Sequence, residues 1–177
     1  MQLSNRELWA LIHGMGLGAL FLLAFGGGIA GVWSLRSKFV TPEGLQERIP
    51  RLLIGTTVMA VVAWLTVIVG TWIVYPWYRA APPAGTTDLT RFPRSLLLSS
   101  PDTAEWHNFG MEWKEHVAWI APILATAVAC VVVRYGARLA EDRRMRQALI
   151  VLFVVAFGAA AAAGLFGAFI NKVAATR

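Results

Sequence analysis

Four long apolar runs alternate with short polar segments along the chain. They cover about Leu8 to Leu35, Leu52 to Tyr78, His116 to Val133 and Ala148 to Ile170. A helix needs about twenty predominantly apolar residues to cross a bilayer, and each run is of that order. The pattern predicts an all-α integral membrane protein: one membrane domain over residues 1–177, built as a four-helix transmembrane bundle. The expected spans are about 8–35, 52–78, 116–133 and 148–170. They leave an outer loop at about 79–115 and inner loops at about 36–51 and 134–147.

Local signals sharpen this outline. "SNRE" at Ser4 to Glu7 has capping-box spacing and marks a helix start. The first run lacks a strong basic leader and exceeds the roughly 7–15 apolar residues of a signal peptide, so it is expected to stay as a helix. "TPEGLQER" reads as a brief interfacial helix capped by Thr41, with Pro42 at its first position. "RAAPPAGTTD" is a turn-rich linker, and the Leu96–Leu98 triplet after it forms an apolar patch. Gly14 and Gly18, "FGGGIAG" and "FGAAAAAGLFG" supply small residues for close helix contact in lipid.

Composition agrees. At 57% hydrophobic and 15% charged, 177 residues expose too much apolar surface for water alone. The net charge of +6 would suggest nucleic acid in a soluble protein. Here the basic residues flank apolar runs, so they read as orientation signals and nucleic acid is excluded as a partner. Arg36, Lys38, Arg48, Arg51, Arg134, Arg138, Arg143, Arg144 and Arg146 crowd the two inner loops. Arg6, Arg79, Arg91, Arg94, Lys114, Lys172 and Arg177 are spread over the termini and the long loop. Both termini are therefore expected on the non-cytoplasmic side, in a bacterial inner membrane. Trp9, Trp72, Trp77, Trp113, Trp119, Tyr75 and Tyr78 lie near that outer boundary, where amphipathic rings form a belt. The single cysteine, Cys130, permits neither an intrachain disulfide nor a cysteine metal cluster.

The chemistry concentrates in "EWHNFGMEWKEHVAWIAP", Glu105 to Pro122, which holds two of three histidines and three of eight tryptophans. Ser100-Pro101 is a helix start. Trp106, Phe109, Trp113, His116 and Ile120 then recur at a three-four spacing, one face of a helix. The third span is expected to extend beyond the bilayer from there, with Pro122 kinking it just inside. His107 falls outside the bilayer and reads as a solvated or interface residue.

His13 lies one to two turns inside the first span, and His116 begins the third at the same face. In an up-down bundle these helices face each other diagonally. Ionisable residues inside spans are costly and mark candidate sites. Two imidazoles at matched depth suit the two axial positions of a haem b iron. On this reading His13 and His116 are the ligands, Gly14 and Gly16 make room for the ring, and Arg79 and Lys114 meet its propionates. In architecture this resembles the four-helix membrane cytochromes b. The expected function is electron transfer near the outer face, within a larger redox complex, with other membrane subunits or a periplasmic redox protein as partner.

Three alternatives stay open. The chain is a cofactor-free accessory or scaffold subunit; the histidines are interfacial groups; or Glu112, Glu115, His116 and His13 bind a non-haem metal. No nucleophile elbow, phosphate loop or HExxH points to an independent enzyme. Transport lacks its usual charges deep within the spans.

Overall fold

The computed structural model describes residues 3–36 and 40–176. Lys38 and Arg177, two of the residues weighed for orientation, lie outside these. Among the described residues the fold is all helical, without strands. Four helices are long and apolar enough to cross a membrane: α1 (Asn5–Ser34), α2 (Pro42–Arg79), α4 (Pro101–Ala140) and α5 (Arg143–Val173). The short α3 (Pro93–Leu98) lies between the second and third of them.

The helix ends follow their capping chemistry. Ser4 closes a reciprocal box, its hydroxyl accepting from the Glu7 amide while the Glu7 carboxylate accepts from the Ser4 amide at 2.8 Å. The "TPEGLQER" segment differs from expectation: it is the first part of α2, which continues through Pro50 rather than breaking. Proline removes one amide donor, and this one lies only eight residues from the helix start. α4 shows the reverse effect. Its regular winding lapses at Ala118 and Trp119, because the Pro122 ring crowds the carbonyl four residues before it, that of Ala118.

The helices contribute to two compact units, each described in turn. One draws on the chain up to Gly18, on Leu65–Trp119 and on the chain from Ala160; the other on Ala19–Trp64 and Ile120–Ala159. In the second unit Gly28 of α1 lies under the Phe153 ring of α5, so close that an added Cβ would stand 2.8 Å from a ring carbon. Phe25 stacks on Phe157 at 4.5 Å and tilts against Phe153 at 5.9 Å. Gly31 meets Leu52, and Gly136 meets Ile49. The Trp64 indole donates to the Thr126 hydroxyl at 3.0 Å. Thus α1 touches α2 and α5 while α2 also touches α4, an up-down arrangement. Two arginines close helix ends here: Arg48 donates to the Ser34 carbonyl at 2.7 Å, and Arg146 to those of Leu139 and Ala140 at 2.6 and 2.9 Å.

The first unit holds a separate cluster. Tyr78, Leu97, Met111, Ile170 and Ala174 are buried together, with Tyr75, Leu96, Trp106 and Phe166 against them. Phe166 of α5 covers Gly110 and contacts Phe109 and Trp113. The proline-rich linker is irregular, as its turn residues dictate, and Gly85 adopts φ +82°.

Candidate functional site

Three stretches of the first unit depart from α-helical winding into single wider turns: Ile12–Gly16, Gly70–Val74 and Trp106–Met111. Such π turns recur at functional sites because the inserted residue re-aims its neighbours. Here they carry His13, Gly70 and His107. The first two are in contact. A Cβ on Gly70 would stand 2.6 Å from His13 Cε1, so only glycine lets the imidazole lie against the α2 backbone.

Beside this contact lies a cleft of about 930 Å³, within the size range of pockets that hold small molecules and cofactors. Its lining includes His13, Gly14, Gly70, Lys114, Glu115 and His116, together with Tyr75, Tyr78, Met111 and Trp119. Ala163, Gly164 and Gly167 of α5 complete one wall with almost no side chain. Both histidines singled out from sequence therefore reach one cleft, with Gly14 and Lys114. Gly16 and Arg79 are outside that lining. A Cβ at Gly14 or Gly16 would meet nothing within 4 Å, and Arg79 instead donates to the Tyr75 hydroxyl at 2.7 Å.

The two histidines differ in surroundings. His13 is partly buried, and its Nδ1 is sealed away with no hydrogen-bond partner. A buried polar atom left unpaired costs about 1–3 kcal/mol, so it calls for an explanation. The Lys114 ammonium acts electrostatically on His13 and on Glu115, and it rests against Gly167. Glu115 presents a second unpartnered atom, Oε1. His116 is exposed, and its Nδ1 lies 2.6 Å from the Glu112 carbonyl one turn back. Only a protonated Nδ1 can pair with a carbonyl, which leaves Nε2 as a lone-pair donor when the ring is neutral. A backbone carbonyl on one imidazole nitrogen is the usual support for metal ligation through the other.

His107 departs most from expectation. It is only 5% exposed rather than solvated. Its Nδ1 lies 3.0 Å from the Tyr78 hydroxyl, and Arg94 Nε donates to its Nε2 at 3.2 Å. Glu112 Oε1 stands 4.0 Å from the same Nε2. The partners come from α2 and α3, 29 and 13 residues away, so no local pattern could reveal them. With both nitrogens occupied, this imidazole is not available as a ligand.

Among the described residues no group of three or more His, Cys, Asp or Glu is placed to hold a metal ion. No protein family, no curated protein and no solved structure matches the chain.

Proposed function

We propose that the chain is a haem b-binding membrane subunit that exchanges electrons near the outer face of a bacterial inner membrane. One observation carries the reading: His13 and His116 line a single cleft, and each keeps one ring nitrogen without a hydrogen-bond partner. The donor set fits the cofactor, which asks for two neutral imidazoles rather than the three or more ligands of a bare ion. His13 and His116 would hold the iron, Lys114 would meet a propionate, and the small α5 wall would admit the flat ring. The bound group would supply one-electron exchange. The third long helix would extend past the bilayer and offer its outer end to a periplasmic redox protein or to other membrane subunits.

The test is the visible spectrum of protein purified from haem-replete cells. A Soret band and an α band that sharpens on reduction are expected. His13→Ala and His116→Ala should each abolish the low-spin spectrum, while His107→Ala should retain it. A colourless, folded protein would reject the haem.

That outcome would favour the second reading, an accessory subunit without cofactor, which has its own support. The apolar window of α1 is only 6% buried, against 28–33% for the other three long helices. Met15, Leu20, Leu22, Leu23 and Trp33 are exposed along it. Added side-chain carbons at Gly14, Gly16, Gly18, Gly26 and Gly27 would meet nothing within 4 Å.

A further inference from the structure

Arg94 fixes the state of His107 by hydrogen-bond chemistry alone. A guanidinium N–H can only donate, so the Nε2 that receives it carries no proton. The imidazole is therefore neutral, and its single proton sits on Nδ1, donated to the Tyr78 hydroxyl. Arg94 belongs to α3, whose Leu97 is fully buried against Tyr78, Met111, Ile170 and Ala174. Those four residues also line the cleft. α3 thus packs against residues that line one end of the cleft, held by Leu97 as an apolar plug, by the Thr103 hydroxyl donating to the Leu97 carbonyl at 2.7 Å, and by the polar tie of Arg94 to His107.

We propose that this tie is a pH-operated latch: protonation of His107 releases Arg94 and loosens α3 over the cleft. A proton on Nε2 would set two donors and two positive charges face to face at 3.2 Å. The protonated ring has a ready new partner, since Glu112 Oε1 is 4.0 Å away. The ionisable groups acting on the imidazole are Tyr78 and Arg79 from α2, Arg94 from α3, and Glu112 and Glu115 from α4. α5 brings Phe166 and Ile170 to the adjoining cluster.

His107 lies nine residues before the third apolar run, outside it. Burial first, and then the Arg94 charge, hold its pKa below the ordinary value of 6.5. The sign follows directly. Above 6.5 the ring is neutral whether folded or unfolded, and the latch contributes its full stability. As pH falls below 6.5 the unfolded form takes up protons first, and the contribution shrinks through the lower, folded pKa. The latch therefore opens on the acid side, whatever ligand the cleft takes.

Hydrogen exchange of the amides of residues 94–98, corrected for intrinsic rates, tests this at about pH 7.5 and about pH 5.5. Wild-type protein should lose protection in acid, exchanging up to about tenfold faster, the limit that one histidine of ordinary pKa 6.5 sets between these two pH values. His107→Gln keeps a carbonyl acceptor for Arg94 at any pH, so its protection should persist at both. Arg94→Met removes the donor and should leave α3 equally loose at both, which serves even if the glutamine variant does not fold. Wild-type protection that ignores pH would overturn the latch. So would an undiminished acid response in either variant.

Discussion

Gly28 shows how much one missing methyl group decides. The ring it faces, Phe153, is completely buried and backed by Phe25, so it cannot swing aside to admit a Cβ at 2.8 Å. Gly28→Ala should therefore cost about 1–3 kcal/mol in a reversible detergent unfolding titration, as overpacking does in other dense interiors. Gly26→Ala, which meets open space, should stay within about 0.5 kcal/mol of wild type. Equal effects of the two would mean that α1 and α5 do not meet at Gly28. Such contacts were legible only as a tendency: glycine clusters announce close approach, not which ring fills it. At the candidate site, His13 and His116, which line one cleft, could be singled out because helical register and depth can be counted along the chain. His107 did not, because its burial depends on Tyr78 and Arg94, whose approach is a matter of tertiary folding.

For the helices, periodicity and capping carried most of the information. The apolar runs located four long helices, and Ser4, Pro42 and Pro101 marked three starts. Less visible were the three places where winding widens. Gly70–Val74 is followed by Pro76, which crowds the Trp72 carbonyl four residues back, whereas Ile12–Gly16 and Trp106–Met111 have no such breaker, and a single inserted residue leaves little trace in the hydrophobic pattern. Pro122 was visible, and its consequence reaches the next helix. The Thr126 hydroxyl donates to the Pro122 carbonyl at 2.7 Å and accepts from Trp64 of α2 at 3.0 Å. Thr126→Val keeps the shape and removes both bonds. Interhelical hydrogen bonds within membranes average about 0.6 kcal/mol, so a loss of that order is expected in the same unfolding titration. The double variant with Trp64→Phe should then add almost nothing. Full additivity of the two changes would show that the pair is not coupled.

For the molecule as a whole, orientation rests on where the cations collect. Nine basic residues lie in the two short inner loops and seven on the opposite side, with Lys38 and Arg177 among them. The positive-inside rule counts lysine and arginine in short loops, so the proposed orientation puts the denser loops in the cytoplasm. Two of those arginines also have structural duties, Arg48 on the Ser34 carbonyl and Arg146 on the last turn of α4. Their guanidinium groups satisfy helix ends whichever side they face. The same proposed orientation would put residues 79–115, and with them α3, His107 and the proposed acid-sensitive tie, toward the periplasm, the compartment whose pH follows the surroundings. Single cysteines read the topology directly once Cys130, exposed and alone, is replaced by alanine. Thr87→Cys in the linker and Glu141→Cys in the second inner loop are both at exposed positions. In intact cells an impermeant maleimide should label the first and spare the second, with both labelled after lysis. The opposite pattern would invert the protein, place both termini in the cytoplasm, and remove the periplasmic partner from the proposed electron path.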